Sequence, residues 1–325
     1  MQTLLSIKDL DIAFDLDQGR VNALEGVNLD IHPGETVGLV GESGCGKSML
    51  ALSILGLLPT PPASVSKGEI QFKGADLTRL GEKNLRRIRG NDISMIFQEP
   101  MTALNPVFKA GEQVSEVLRW HQGMSRAEAR ETVLGLFREV GIAEPEKRYN
   151  SFPHQLSGGM RQRVGIAMAL ACEPELILAD EPTTALDVTI QAHILELMHK
   201  LQDKTGTAVL FITHDLGLVA HNCSRAAVMY SGWMVEEAKI GEIFSNPLHP
   251  YTRGLLGSLP HPAADRDQDL SPVPGSVPEL GNLPRGCLFH PRCPEKRPQC
   301  ETRIPRSSFT DSGHMVKCLL YGKEA

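Results

Sequence analysis

The octapeptide GESGCGKS at positions 41–48 puts three glycines, a lysine and two serine hydroxyls into one short stretch of chain. Glycines let a backbone turn until successive N–H groups face one centre, and a helix beginning there adds positive potential. That is a cradle for phosphate. Gly41, Glu42, Ser43, Gly44, Cys45 and Gly46 shape the loop, Lys47 reaches the β- and γ-phosphates of a nucleotide, and the Ser48 hydroxyl sits on Mg2+. Cys45 occupies a variable position of the pattern and reads as a small filler.

A metal-bound triphosphate needs a second, carboxylate-bearing segment, and LILADEP at 176–182 supplies one. Asp180 is placed to hold Mg2+, and Glu181 to polarise an attacking water. Alone, such a pair would read as a solvated turn; with the phosphate loop in the same chain, the catalytic reading is the better one. LSGGMRQRV at 156–164 carries Ser157 as a natural N-cap, followed by Gly158 and Gly159 with exposed backbone N–H groups. The residues alone leave two readings open: an ordinary capped helix, or a reader of the γ-phosphate of a nucleotide held elsewhere.

These segments need elements to position them. TVGLV (36–40), LILAD (176–180) and AVLFIT (208–213) are short apolar runs bounded by turn or polar residues, the pattern of buried parallel strands. TIQAHILELMHKLQDK (189–204) repeats Ile190, Ile194, Leu197 and Leu201 at helical spacing. Strands alternating with helices predict an α/β fold around a parallel sheet. About 101–165 shows helical patches and no clear strand, which predicts a helical subdomain inserted into that core. Twelve of the 22 prolines fall in 246–325, where periodicity fades. The expected division is therefore a nucleotide-binding domain over 1–245 and a loop-rich extension over 246–325.

Composition narrows the partners. Lys plus Arg number 33 and Asp plus Glu 39, a formal charge of −6, which argues against a broad basic nucleic-acid surface. The most apolar stretch, MLALSILGLLP at 49–59, is about half the roughly 20 residues a spanning helix needs. The N-terminus lacks a signal peptide's basic start and apolar run. The expected location is the cytosol, with any membrane role arising through a partner.

The order phosphate loop, Gln98, LSGGM, LILADEP, ALD (185–187) and His214 resembles the ATP-binding subunits of ABC transporters, over essentially all of 1–245. The resemblance implies a P-loop ATPase core in which two subunits sandwich two ATP molecules. Each ATP then lies between one subunit's phosphate loop and the other's LSGGM. Ser157, Gly158 and Gly159 would contact the γ-phosphate in the partner's site. Gln98 would bind Mg2+ and sense the γ-phosphate, Asp187 would couple the two sites, and His214 would fix the γ-phosphate and the water. Phe14 matches the aromatic that stacks on adenine.

FQEPMTALNPVF (97–108) and NPLHPYTRGLL (246–256) resemble the peptide and nickel importer ATPases, nearest the D-type subunits of dipeptide permeases. Glu99 stands where Asp is usual. The implied partners are a paralogous ATPase (heterodimer, with a homodimer possible), two transmembrane permease subunits and, indirectly, an extracytoplasmic peptide-binding protein. The implied place is the cytoplasmic face of the membrane. Peptide is the expected cargo, with nickel or another small solute as alternatives. The rival classes are a soluble ABC ATPase outside transport and a non-hydrolysing regulator; a single phosphate loop and LSGGM argue against the first.

Cys287, Cys293, Cys300 and Cys318 follow C-x5-C-x6-C-x17-C, unlike the C-x2-C of zinc ribbons. Four thiols in a loop-rich tail suit zinc or a [4Fe–4S] cluster, and the resemblance favours the cluster. Residues 285–306 hold six Lys or Arg against two Glu, a charge of +4 expected to favour thiolates. Cys172 and Cys223 read as buried fillers.

Overall fold

The computed structural model describes residues 3–16, 19–98, 104–182, 188–259 and 273–322. Two compact units partition the chain. His32–Glu35 and Arg79–Leu210 form one, and Thr3–Ile31, Thr36–Thr78 and Phe211–Ala325 contribute to the other.

The second unit begins with β1 (Leu5–Leu16) and β2 (Gly19–Ile31), then β3 (Thr36–Val40), α1 (Lys47–Ile54), β4 (Ala63–Phe72) and β5 (Ala75–Asp76). A four-stranded antiparallel sheet runs β2-β1-β4-β5. Leu5, Ile7, Leu10 and Ile12 of β1 are buried. This period-2 pattern belongs to a strand with one face in the core, interrupted by register shifts between Ile7 and Ile12. Phe14 stands opposite Val21 and Ala63 and is half-buried. β3 is buried throughout, as its unbroken apolar run predicts.

The first unit carries α2 (Glu82–Ile88) and β6 (Ile93–Ile96), then four helices: α3 (Ala110–His121), α4 (Arg126–Glu139), α5 (Pro145–Tyr149) and α6 (Gly158–Leu170). Ser125 and Glu128 close a capping box on α4, satisfying two N-terminal groups of that helix. α3 turns Ala110, Val114 and Leu118 inward. Gly111 lies so close to the Tyr149 ring that an added Cβ would stand 2.1 Å from a ring carbon. Among the described residues, no strand interrupts 104–170, in accord with the helical reading of that region. β7 (Leu176–Asp180) pairs in parallel with β6, Ile96 opposite Ala179. α7 (Val188–Thr205) buries Ile194, Leu195 and Met198, and β8 (Ala208–Thr213) follows, beginning in this unit and ending in the other. Ile190 and Leu201 lie on α7, but their side chains are outside what the structure describes.

The chain closes in the second unit with α8 (Leu216–Asn222), β9 (Arg225–Tyr230), β10 (Trp233–Lys239), α9 (Ile240–Ser245), α10 (Pro250–Gly257), β11 (Ser308–Phe309) and β12 (Met315–Val316). β3 and β9 pair in parallel, while β9, β10, β12 and β11 continue as antiparallel neighbours. The end of the chain is thus bonded to a sheet rather than trailing as loop: Met315 and Val316 face Glu237 and Glu236. Leu248, Val316 and Cys318 form a small buried cluster with Leu320 against it. No helix among the described residues is long and apolar enough to cross a membrane.

Candidate functional site

The phosphate loop joins β3 to α1, the strand–loop–helix context the motif requires. An added Cβ on Gly41 would lie 2.2 Å from the Met229 carbonyl oxygen and 2.8 Å from the Cys45 Sγ, so that backbone approach admits no side chain. Gly44 and Gly46 take φ of 79° and 110°, values that disfavour any other residue. Lys47 is buried, and its Nζ donates to the carbonyl oxygens of Gly41 at 2.7 Å and Glu42 at 2.9 Å. The ammonium is therefore held over the loop itself. Burial pushes the Cys45 thiol up, against a smaller opposing pull from Lys47, in keeping with a filler. Ser43 is exposed, and Ser48 is half-buried in the first turn of α1.

In the first unit, parallel pairing carries Gln98 and Glu181 off the same end of β6 and β7. The Gln98 Nε2 donates to the Glu181 Oε2 at 3.0 Å. Glu181 sits at φ 44°, a left-handed conformation an L-residue adopts only when its surroundings impose it. Asp180, one residue earlier, is buried at 4 % exposure. One residue later, the Pro182 carbonyl accepts from the Nε2 of buried Gln162 at 2.7 Å. Gln162 lies on α6, which ties the helix behind LSGGM to the Glu181 turn. The sequence reading missed that residue, although it stands inside the quoted LSGGMRQRV.

Ser157 caps α6 by accepting from the Met160 N–H at 3.3 Å. Ser157 and Gly158 are exposed, and a Cβ added to Gly158 would meet no atom within 4 Å. Among the described residues, nothing stands over Gly158 at the start of α6. His214 is exposed after β8, in the other unit. Asp187 and Glu99 lie outside the described residues.

The four tail cysteines converge. Cys287, Cys293, Cys300 and Cys318 line one cavity of about 10 Å3 together with His249 and Phe289, room for about one water. Among the described residues, however, no group of three or more His, Cys, Asp or Glu is arranged to hold a metal ion. The expected thiolates are also corrected. Burial dominates and pushes Cys287 and Cys293 up, and Cys318 up to about 11, with Arg253 opposing it only slightly at Cys293. Desolvation disfavours the charged thiolate whatever the count of basic residues along the chain. Cys172 and Cys223 are buried fillers, pushed up to about 11 and about 12 by burial.

Comparison with known proteins places these features. The ABC transporter family matches residues 24–184, and the family described as oligopeptide/dipeptide transporter, C-terminal region, matches 235–300. The chain is 50 % identical over 325 residues to the dipeptide transport ATP-binding protein DppD of Bacillus subtilis, covering 100 % of this chain and 97 % of that one. It is 49 % identical over 324 residues to the oligopeptide transport ATP-binding protein AppD of the same organism, covering 100 % and 98 %. Among solved structures it is similar to the ATP-binding cassette MJ0796, a dimer in a post-hydrolysis state bound to ADP and Pi. That match has a TM-score of 0.67 and 32 % identity, over 73 % of this chain and 98 % of that one.

Proposed function

The chain belongs to the ABC transporter family as an ATP-hydrolysing subunit that powers peptide import, and from that premise we propose how its residues divide the work. Residues 1–245 are the cassette and 246–325 the extension. The loop from Gly41 to Ser48 holds the phosphates of ATP, and Phe14 stacks on the adenine. Ser48, Gln98 and Asp180 would hold Mg2+, an all-oxygen donor set of the kind that ion prefers. The ion supplies neutralisation of phosphate charge. Glu181 orients and polarises the attacking water, with Gln98 as its partner until nucleotide arrives, and His214 fixes the γ-phosphate. Hydrolysis is then chiefly positioning and charge stabilisation.

Ser157, Gly158 and Gly159 serve the nucleotide on a second subunit, and Asp187 couples the two sites. The observation that carries this reading is the exposed start of α6: a Ser157 cap followed by Gly158, where an added Cβ would meet no described atom within 4 Å. Such a terminus attracts phosphate. The dimer docks under permease subunits at the cytoplasmic face; its other half is a paralogue, and an extracytoplasmic binding protein delivers the peptide. Glu181→Gln tests the reading: turnover stops and an ATP-bound dimer accumulates. A protein that only binds ATP would show no rate to lose.

For the tail cysteines the reading is a [4Fe–4S] cluster, with zinc as the alternative. Four thiols line one cavity, and since it has room for about one water and no metal-holding group is formed among the described residues, either group would have to spread the thiols on binding. Metal binding would displace their protons and add folding energy to the extension. A brown preparation bleached by dithionite supports the cluster; a colourless one with stoichiometric zinc removes it.

A further inference from the structure

The extension does something at the phosphate loop that its cysteines do not explain. Arg292 is buried, its side chain 5 % exposed, and grips Glu42 with both arms of the guanidinium: Nη1 to Oε2 at 2.6 Å and Nη2 to Oε1 at 2.9 Å. Glu42 is the second residue of the phosphate loop. The guanidinium is fixed in turn by the carbonyl oxygens of Pro274 at 2.7 Å, and of Val273 and Gly275 at 3.3 Å each. It also lies 5.7 Å from the centre of the Tyr230 ring. The Glu42 backbone is held too, its N–H donating to the Tyr251 hydroxyl at 2.9 Å. Tyr251 and Tyr230 pack edge-on at 4.8 Å, and Phe289 joins both at 5.4 and 5.2 Å. One loop residue is thus clamped at its backbone and at its carboxylate, in both cases by residues that follow the cassette's last strands.

A carboxylate on the phosphate loop, if left unpaired, would repel a polyphosphate bound beside it. A planar fork matched to a carboxylate neutralises that charge and fixes its direction at once. Burial makes the pair more than a solvated surface contact. We propose that Arg292 is a positioning residue for ATP binding: acting through Glu42, it cancels the one negative charge of the phosphate loop and sets the loop's shape. The extension thereby tunes nucleotide affinity from outside the cassette. This rests on the reading of 41–48 as the ATP loop.

The test measures ATP affinity and steady-state hydrolysis on the full chain. Arg292→Gln leaves Glu42 charged and unmatched, so Kd and KM for ATP rise on the order of ten-fold. kcat at saturating ATP changes less than about two-fold, since no hydrolytic group is touched. Adding Glu42→Gln to Arg292→Gln removes the offending charge and brings Kd back to within about three-fold of the starting protein. Arg292→Lys keeps the charge but loses the fork, and falls between the two; it serves if Arg292→Gln does not fold. Unchanged affinity in Arg292→Gln overturns the assignment. So does a double variant as weak as the single one, which would make Arg292 a scaffold residue only. Wild-type ATP binding that Lys47→Ala abolishes separates the two levels: if it is absent, the reading of the loop falls as well.

Discussion

Gly158→Asp separates the helix-start role of the α6 N-terminus from the phosphate-reading role proposed for it. Gly158 is the first residue of α6 after the Ser157 cap; it is exposed and has no atom within 4 Å of where a Cβ would stand. The aspartate therefore fits without displacement. In the first helical turn its carboxylate also favours the helix dipole, a gain of about 0.3–1 kcal/mol. Thermal unfolding should stay where it is or move slightly upward. Toward nucleotide the sign reverses. Two unit charges about 5 Å apart in a medium of effective dielectric about 20 repel by roughly 3 kcal/mol, near 100-fold in rate or affinity. ATP hydrolysis by the assembled protein, read by phosphate release beside a melting curve, should fall by about that factor with folding intact. A variant that melts normally and hydrolyses ATP at the wild-type rate would refute the role of α6 in a composite site.

Two further outcomes follow from buried groups. Gln162→Leu leaves the Pro182 carbonyl without its 2.7 Å donor and should cost about 1–2 kcal/mol in urea unfolding, while Gln162→Glu, which sets a buried carboxylate against that oxygen, should cost about 3 kcal/mol or more. Both should slow hydrolysis by loosening the Glu181 turn, and equal stability of the two variants would contradict the hydrogen bond. His249 is fully buried, caps α10 through its Nδ1 and is pushed down to about 3, chiefly by burial. The unfolded chain therefore takes up a proton near pH 6.5 that the folded chain refuses. The stability is complete above about pH 6.5 and is lost as pH falls toward 3, about 2 kcal/mol of it by pH 5. His249→Asn, which keeps a side-chain acceptor for the Tyr251 N–H but does not titrate, should flatten the dependence of urea midpoint on pH across that window.

Much of the molecule is legible in one dimension because the chemistry is local. The phosphate loop, the LILADEP strand end and the Ser157 cap each draw their meaning from residues within eight positions of one another, and apolar runs at 36–40, 176–180 and 208–213 form the strands their composition predicts. The antiparallel strands β1, β2 and β4 escaped notice, since charged residues such as Lys8, Asp9 and Glu25 interrupt their apolar pattern and only cross-strand pairing restores it. Thiol ionisation was misjudged for a related reason: a count of basic residues along 285–306 says nothing of burial, and burial decided it.

Residue type and spacing alone pointed to a chain that handles a nucleotide's phosphates through the 41–48 loop and the LILADEP strand end, whereas the phosphate role of the LSGGM helix start came only from the family resemblance. Tertiary structure alone decided that Gln98 meets Glu181 across 83 positions, that Gln162 braces Pro182, and that Arg292 reaches back 250 positions to Glu42. A motif is a property of neighbours along the backbone, whereas a hydrogen bond or ion pair depends on which distant segments the fold brings within 3 Å of each other.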